Sequence, residues 1–207
     1  MTETRHVVIV DDDDAVREAL TLLMHGAGLT VQQFSSGSDF LAAPRPTGPA
    51  CLLLDIHMPG VSGLDVQAQL QAERCLLPIV FLTGHGQVPL AVNALKQGAM
   101  DFLEKPLFDR EALLDIICNA TEQHRQQLAL ANQDAQWQQR IALLSPRELE
   151  VARLAADGQA NKVIALELGI SERTVEVHRG RAMKKLALRT AADLVKKQVA
   201  LKHQQEH

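Results

Sequence analysis

The sequence predicts an α/β domain with a doubly wound, five-stranded parallel sheet, joined by a long helical linker to an all-α domain of four helices. In the first half, short apolar runs alternate with helical patterns, as strands and helices do in parallel sheets covered on both faces. The second half shows no strand pattern, and residues 112–140 include neither Gly nor Pro. The chain therefore combines two domains of different class.

Five strands and five helices are predicted for the α/β part. The strands are apolar runs that suit burial on both faces of a sheet, at residues 6–10, 29–34, 50–55, 79–83 and 100–103. The helices follow from apolar spacings of three and four residues and from flanking glycines, at residues 15–25, 38–42, 61–72, about 88–97 and from about 109.

The helix that begins near residue 109 is predicted to continue well past the sheet. Its apolar positions form a narrow stripe at Ile117, Ala120, His124, Leu128, Ala131 and Ala135. Such a stripe suits a helix-pairing surface, and a solvated connector that pairs with nothing explains it equally well. The predicted divisions are a first domain at 1–122, a helical linker at 123–143 and a second domain at 144–207.

The second domain is predicted to contain a helix-turn-helix. Ser145, Pro146 and Glu148 form the pattern of a capping box with Pro at the first helical position, which marks a helix start. Gly169 separates the second helix from the third, which Ser171 caps. The four predicted helices cover residues 146–156, 160–168, 172–186 and about 190–201.

Charge and cysteine usage limit the possible function classes. Residues 145–207 carry 12 Lys and Arg against 8 Asp and Glu, whereas the rest of the chain carries 9 against 17; a basic second domain suits a polyanionic partner. The three cysteines form no metal-binding pattern and fit a reducing cytoplasm. We see no signal peptide and no apolar run near the roughly 18 residues that span a bilayer, so we expect a soluble, cytoplasmic protein without a membrane partner.

Oxygen and amine side chains follow four of the predicted strands, namely Asp11 and Asp12, Asp55, Thr83 and Lys105. In a doubly wound sheet, ligands bind in the crevice at the carboxyl ends of the strands. Three carboxylates suit Mg²⁺, and Asp55 could then act as a nucleophile on phosphorus. Lys105 and Thr83 are the electrostatic and hydrogen-bonding groups that a phosphoryl group needs. Asp13 and Asp14 are expected to be solvated or to cap a helix.

These residues stand in motifs that resemble the receiver domains of two-component response regulators, over about residues 5–125. The motifs are Val10-Asp11-Asp12-Asp13, Leu54-Asp55-Ile-His-Met-Pro59-Gly60, Leu82-Thr83-Gly84 and Phe102-Leu-Glu-Lys105-Pro106. The resemblance implies a flavodoxin-like sheet with Asp55 as the phosphoacceptor. It also implies Mg²⁺ held by Asp12, Asp55 and the main-chain carbonyl of His57, with Asp11 acting through water.

The same resemblance implies partners for the phosphoryl group and a switch. Lys105 and Thr83 would contact the group, and the bond between Lys105 and Pro106 would be cis, which X–Pro bonds allow at small cost. The switch would couple Thr83 to Phe102, where many receivers have Tyr. Coupling through Phe102 would rest on packing alone, and Phe102 also suits a plain core position.

Two histidines stand near these groups. His57 and His85 lie two residues beyond Asp55 and Thr83, where receivers tune the lifetime of the phosphoryl group; a surface role suits both equally, and neither ring is expected to bind metal. A phosphatase with an aspartyl nucleophile is an alternative from another class. Such enzymes require a second acid two residues after the nucleophile, where this chain has His57.

Residues 144–202 resemble the DNA-binding domain of LuxR-type regulators, in Leu144-Ser-Pro-Arg-Glu148, Asn161-Lys162-Val-Ile-Ala165 and Ser171-Glu-Arg-Thr174-Val175. With a receiver, this is the arrangement of the FixJ/NarL group of transcription regulators. The third helix would enter the major groove. Its expected DNA-binding residues are Arg173, Thr174, Glu176, Val177, Gly180, Arg181 and Lys184, with Lys162, Arg179 and Lys185 as phosphate contacts.

Spacing of three and four places Val175, His178, Ala182 and Leu186 on the inward face of that helix. Two residues of the outer face are unusual. Glu176 would repel phosphate unless it accepts a hydrogen bond from a cytosine amino group. Gly180 lies in the middle of the helix, where Gly costs roughly 0.5–1 kcal/mol relative to Ala, and close approach of the backbone to DNA would account for it.

The two resemblances together imply a phosphorylation-activated transcription regulator and not an enzyme. A sensor histidine kinase would phosphorylate Asp55 with Mg²⁺, the receiver surface would change, and a homodimer would bind double-stranded DNA more tightly. A receiver that signals through protein contact alone is the alternative. Its response to a small phosphodonor, compared with that of Asp55→Asn, would distinguish the two.

Overall fold

The computed structural model describes residues 5–84, 88–105 and 109–196. The chain divides into two compact units, Met1–Leu130 and Ala131–His207. This division falls inside the predicted linker at 123–143. Each unit has hydrophobic clusters of its own.

The first unit is built on a five-stranded sheet in which every neighbouring pair of strands is parallel. The strands are β1 (His6–Val10), β2 (Thr30–Phe34), β3 (Ala50–Asp55), β4 (Ile79–Thr83) and β5 (Asp101–Glu104), in the spatial order β2-β1-β3-β4-β5. The helices are α1 (Asp14–Gly26), α2 (Gly37–Ala42), α3 (Gly63–Ala72), α4 (Val88–Lys96) and α5 (Arg110–Ala142). The predicted fold class is confirmed.

Both faces of the sheet are buried, because the side chains of each strand alternate between two cores. Val8 and Val10 of β1 pack in a cluster with residues of α2, α3 and α4. Val7 and Ile9 point the other way and pack with residues of α1 and α5. Parallel strands covered by helices on both faces read as unbroken apolar runs, which is why these strands were predictable.

Helix starts in the first unit are set by short polar side chains. Asp13 caps α1, and its carboxylate accepts hydrogen bonds from the backbone N–H groups of Ala15 and Val16. Ser62 and Asp65 form a capping box at α3. Because Ser62 serves as the cap, α3 begins at Gly63, two residues later than predicted.

Helix α5 contributes to both units. Ile117, Ala120 and His124 are buried in the first unit, and the ring Nδ1 of His124 accepts a hydrogen bond from the backbone N–H of Ala50 at 3.0 Å. Trp137 and Ile141 pack in the core of the second unit. Between these segments the predicted stripe loses contact with either core, because Ala131 and Ala135 are exposed and Leu128 is only half-buried.

Up to residue 196, the second unit contains four further helices around one apolar core, α6 (Pro146–Ala156), α7 (Asn161–Leu168), α8 (Glu172–Leu186) and α9 (Ala191–Lys196). The capping box of Ser145 and Glu148 is present, as predicted. Gly169 adopts a left-handed conformation at the end of α7, with φ of 65°, and so makes the turn into α8. The predicted end of the last helix, 197–201, lies outside the described residues.

None of the helices in the described part of the chain combines the length and apolar character that a bilayer-spanning helix needs.

Candidate functional site

Three carboxylates converge at the carboxyl ends of β1 and β3. Val10 lies opposite Leu54 in the sheet, so Asp11 and Asp55 follow side by side. Oxygen atoms of Asp11, Asp12 and Asp55 all lie within 4.8 Å of one another. Asp11 and Asp55 are buried, whereas Asp12 is exposed. The predicted convergence of the strand ends is therefore observed.

Lys105 reaches this cluster from the end of β5. Its Nζ lies 2.7 Å from Oδ2 of Asp11 and 3.2 Å from Oδ1 of Asp55. Burial acts to lower the pKa of the Lys105 ammonium, but its hydrogen bonds and charge interactions with Asp11 and Asp55 outweigh burial and raise the pKa above its usual value. Lys105 is therefore held as a cation between two carboxylates.

Asp55 occupies an environment that resists ionisation. Burial and the negative charge of Asp11 raise the pKa of the Asp55 carboxyl, although Lys105 and the backbone N–H of His57 act in the opposite direction. An added positive charge at the cluster would relieve this cost by favouring the carboxylate. Asp55 is thus a buried acid whose ionisation depends on cations close to it.

The observed donor set fits a hard divalent cation. Mg²⁺ prefers oxygen ligands and keeps several waters, and here two buried acids and one exposed acid converge, with the exposed Asp12 also lining an open cleft. The cleft has a volume of about 540 Å³ and is lined in part by Asp12 and His57. The His57 side chain is exposed, and its ring is not among the groups that converge within 4.8 Å in the described part of the chain.

The two predicted switch residues lie on the next strands of the sheet. Leu82 pairs with Asp55 across the sheet, so Thr83 follows beside the acid; Thr83 is 3% exposed. The main-chain oxygen of Thr83 accepts a hydrogen bond from the backbone N–H of Lys105 at 2.7 Å. Phe102 is half-buried and packs against the apolar cluster of one sheet face.

Two further predictions fall outside the described residues. The cis bond predicted before Pro106 involves a residue that the structure does not describe. The same is true of the lifetime role expected for His85. Both stay predictions.

The raised pKa of Asp55 predicts a pH-dependent effect of Asp55→Asn on stability. Since folding raises this pKa above its ordinary value of 3.8, the wild type loses stability as pH rises from about 3.8 through the folded-state pKa. Asp55→Asn lacks this loss, so we expect the variant to be more stable than wild type at pH 7 in EDTA. Urea unfolding followed by circular dichroism measures the difference, which should shrink towards pH 4; an Asp55→Asn variant less stable at pH 7 would contradict it.

In the second unit, most of the predicted DNA-facing residues of α8 form one surface. The inward face is confirmed, because Val175, Ala182 and Leu186 are buried and His178 is half-buried. The opposite side borders a shallow concave space with a volume of about 510 Å³. We call the residues that line this space the α8 surface, namely Arg173, Glu176, Val177, Gly180, Arg181 and Lys184. Its cations suit a polyanion such as DNA.

Lys185, one of the expected phosphate contacts, already has partners within the second unit. Nζ of Lys185 lies 2.6 Å from Oε2 of the buried Glu148 and donates to the main-chain oxygen of Leu143 at 3.0 Å. Lys185 therefore forms an ion pair within the unit, and its expected phosphate contact stays a prediction. The hydrogen bond from Lys185 holds the pKa of Glu148 below its usual value.

Two other residues expected to contact DNA, Arg179 and Thr174, also form hydrogen bonds within the second unit. Nη1 of Arg179 donates to Oδ1 of Asn161 at 2.9 Å, which ties α8 to the start of α7. The hydroxyl of Thr174 shares a hydrogen bond with that of Ser171 at the cap of α8. Lys162, in contrast, is exposed on α7 and stays available for a phosphate.

One residue beside the acid cluster was not predicted. Arg17 of α1 donates from Nη1 to the main-chain oxygen of Asp11 at 2.6 Å. Its position on the half-buried side of α1 carries no signal in the sequence, because an Arg at that spacing is also typical of a solvated helix face.

Comparisons with known proteins agree with this geometry. Residues 7–118 match the response regulator receiver domain, and residues 142–197 match the luxR family of bacterial regulatory proteins. Nodulation protein W of Bradyrhizobium diazoefficiens is 43% identical over 190 residues, which span 92% of this chain and 83% of that protein. The transcriptional regulatory protein FixJ of Azorhizobium caulinodans is 42% identical over 196 residues, which span 95% and 92%.

Solved structures give the same result. The response regulator StyR is 43% identical, with a TM-score of 0.85 over 93% of this chain and 97% of its own. Full-length FixJ from B. japonicum is 37% identical, with a TM-score of 0.59 over 98% and 99%. A doubly wound sheet with an acid cluster at its strand ends, followed by a helix-turn-helix, defines a two-domain signalling regulator. The chain belongs to the response regulators with a LuxR-type DNA-binding domain, a family of transcription factors and not of enzymes.

Proposed function

We propose that Asp55 is the phosphoacceptor, that a sensor histidine kinase is the donor and that Mg²⁺ is the cofactor. The observation that carries the proposal is the position of the Lys105 ammonium, within 3.2 Å of both Asp11 and Asp55 oxygens. A phosphoryl group transferred to Asp55 would bring its oxygens within reach of this cation, as phosphoryl transfer requires.

In the proposed reaction a carboxylate oxygen of Asp55 attacks phosphorus of a kinase phosphohistidine. An O–P bond forms, the P–N bond breaks, and its electron pair leaves with the imidazole of the kinase. Mg²⁺, when bound, would neutralise charge on the transferring group. The residues proposed to hold it are Asp11, Asp12, Asp55 and the main-chain carbonyl of His57.

The proposed switch passes from the phosphoryl group to Thr83 and Phe102. The Thr83 hydroxyl would donate a hydrogen bond to a phosphoryl oxygen, and the movement would be transmitted to Phe102 on the neighbouring strand. Because Phe102 has no hydroxyl, its response would depend on packing against the cluster that it borders. Phosphorylation thus acts as a local change of charge that biases a packed element.

The proposed output is binding of double-stranded DNA by the α8 surface, with α8 in the major groove. Arg173, Arg181 and Lys184 would contact bases or phosphates, and Lys162 would contact a phosphate. Glu176 would accept from a cytosine amino group. Thr174, Arg179 and Lys185 would also contact DNA, Arg179 and Lys185 at phosphates, and each has in addition a partner within the unit.

We propose that phosphorylation favours a homodimer that engages two half-sites. Linking two DNA-binding domains raises their effective concentration on one duplex. The functional divisions that we propose are a receiver at 1–122, a helical linker at 123–143 and a DNA-binding domain at 144–207. Packing of Trp137 and Ile141 in the second core would let the end of the linker support the DNA-binding domain.

Phosphorylation of the intact chain by acetyl phosphate tests the acceptor. With MgCl₂ present, we expect a mass gain of one phosphoryl group in wild type and none in Asp55→Asn. EDTA should prevent the gain in wild type. Equal modification of Asp55→Asn would disprove the assignment, and sedimentation of the same samples would report whether phosphorylation forms the dimer.

A further inference from the structure

Arg17 is the side chain through which α1 holds the loop that carries Asp11 and Asp12. Its side chain is 12% exposed. Nη1 donates to the main-chain oxygen of Asp11 at 2.6 Å, while Nη2 forms an ion pair with the exposed carboxylate of Asp14. The guanidinium therefore contacts the loop at one main-chain oxygen and α1 itself at Asp14.

The main-chain contact has a direct geometric consequence. The carbonyl of Asp11 and the N–H of Asp12 belong to one rigid, planar peptide unit. A hydrogen bond to that oxygen restricts rotation of the plane, and therefore restricts the direction in which the Asp12 side chain leaves the backbone.

Other contacts secure the remainder of the loop. Oδ1 of Asp11 accepts from the backbone N–H of Asp13 at 3.0 Å, and Asp13 in turn caps α1. Asp12 is the exposed member of the converging carboxylates, and no hydrogen bond or ion pair of its side chain is seen among the described residues. The orientation of Asp12 thus depends on the peptide unit that Arg17 holds.

We propose that Arg17 is a positioning residue for the divalent-cation site, which orients Asp12 through the Asp11 carbonyl. The proposal rests on the proposed function, in which Asp12 is a metal ligand. Residues that orient metal ligands without touching the metal commonly change affinity by about 10- to 100-fold when replaced.

Positioning and simple charge predict different cation affinities for two variants. Arg17→Met removes a positive charge near the acids, so charge alone predicts tighter binding of a divalent cation. Loss of positioning predicts weaker binding. Asp14→Asn removes a negative charge, so charge alone predicts weaker binding, whereas the hydrogen bond from Arg17 to Asp11 remains and positioning predicts no change.

The test is a titration of the full-length protein with Mn²⁺, in which electron paramagnetic resonance measures the free ion. We expect Arg17→Met to bind Mn²⁺ about tenfold more weakly than wild type, Asp14→Asn to bind within about twofold, and Arg17→Lys to recover most of the affinity because its amine retains a donor. Competition with MgCl₂ should give the same order.

Several results would overturn the proposal. Unchanged or tighter binding by Arg17→Met would show that Arg17 does not position the site. Weakening by Asp14→Asn equal to that of Arg17→Met would show that the Arg17–Asp14 pair, and not the hydrogen bond to the Asp11 carbonyl, is what the site needs. Arg17→Lys as weak as Arg17→Met would also contradict it. Circular dichroism and urea unfolding establish that each variant is folded at the titration temperature, so that an unfolded variant is not scored as a weak binder.

Failure of the proposed function gives a different pattern. If wild type itself binds no Mn²⁺ and accepts no phosphoryl group from acetyl phosphate, the cation site is wrong and Arg17 has nothing to position. If wild type does both and Arg17→Met matches it, only the role of Arg17 is wrong.

Discussion

Replacing Gly63 by alanine is expected to destabilise the receiver domain by roughly 2–4 kcal/mol, since the new methyl group meets the main chain of Asp55 and Ile56. A Cβ at this position would overlap the main-chain oxygen of Asp55 and lie 3.1 Å from both the Asp55 carbonyl carbon and the Ile56 Cα. Backbone atoms in a buried strand end cannot move aside as a flexible side chain could. Relief of the overlap must therefore displace α3 or the strand end that carries Asp55.

Two measurements follow the effect of Gly63→Ala. Far-ultraviolet circular dichroism in urea should show an early transition for the receiver. Trp137, the single tryptophan of the sequence, lies in the core of the second unit, so its fluorescence should report a transition close to that of wild type.

Gly48→Ala is the matched control, because a Cβ there would have no heavy atom closer than 3.8 Å. We expect its unfolding to differ from wild type by less than about 0.5 kcal/mol. A Gly63→Ala protein as stable as Gly48→Ala would show that the α3 start does not contact the end of β3 as described.

Gly180→Ala is expected to change stability and DNA affinity in opposite directions. Nothing lies within 4 Å of a Cβ built on Gly180, so the methyl group has space and the helix should gain roughly 0.5–1 kcal/mol from lower backbone entropy in the unfolded chain. On the α8 surface, however, the same methyl group would occupy the space between backbone and DNA. Loss of one close contact there costs about 1–3 kcal/mol, which is roughly 5- to 150-fold in affinity.

The matched control for helix propensity is Gly26→Ala at the end of α1. A Cβ at Gly26 meets nothing closer than Nη2 of Arg110 at 3.6 Å, and the position lies in the receiver. Trp137 fluorescence in urea measures the stability of Gly180→Ala, far-ultraviolet circular dichroism in urea measures that of Gly26→Ala, and fluorescence anisotropy with one labelled DNA duplex measures the DNA affinity of both. Full DNA affinity in Gly180→Ala would mean that DNA does not approach the backbone at this glycine.

Most of the sheet and the convergence at its strand ends could be predicted, because burial on both faces leaves unbroken apolar runs in the sequence. Asp55 closes such a run, and a doubly wound order brings the end of β1 beside the end of β3. The same pattern does not give hydrogen-bond partners. It places Lys105 at a strand end, but contact with Asp11 and Asp55 depends on register and on a flexible side chain.

Contacts between residues that are distant in the sequence are what the sequence did not predict. Lys185 has the spacing of a DNA contact, yet it bonds to Glu148 on another helix 37 residues away. Sequence periodicity describes one helix at a time and cannot show which exposed charge a neighbouring helix will meet. The start of α3 differed for a local reason, since both Pro59-Gly60 and Ser62 are suitable signals and only the capping box distinguishes them.

Sequence periodicity also fails to show local contacts, as Arg17 and the linker helix illustrate. The hydrogen bond from Arg17 reaches a main-chain oxygen, and main-chain partners have no residue type to recognise. In α5, one continuous helical pattern covers residues that pack in the first unit, residues that are exposed and residues that pack in the second. The segments of α5 are distinguished only by their packing: His124 is buried in the first unit and Trp137 in the second.

Fluorescence anisotropy of one selected duplex, with and without acetyl phosphate and MgCl₂, tests the central claim most directly. Wild type should bind roughly 5- to 150-fold more tightly after phosphorylation, the range of typical coupling between sites, and Asp55→Asn should bind equally under both conditions. A wild type whose DNA affinity ignores the phosphodonor despite full phosphorylation, or an Asp55→Asn protein that responds as wild type does, would contradict control of DNA binding through Asp55.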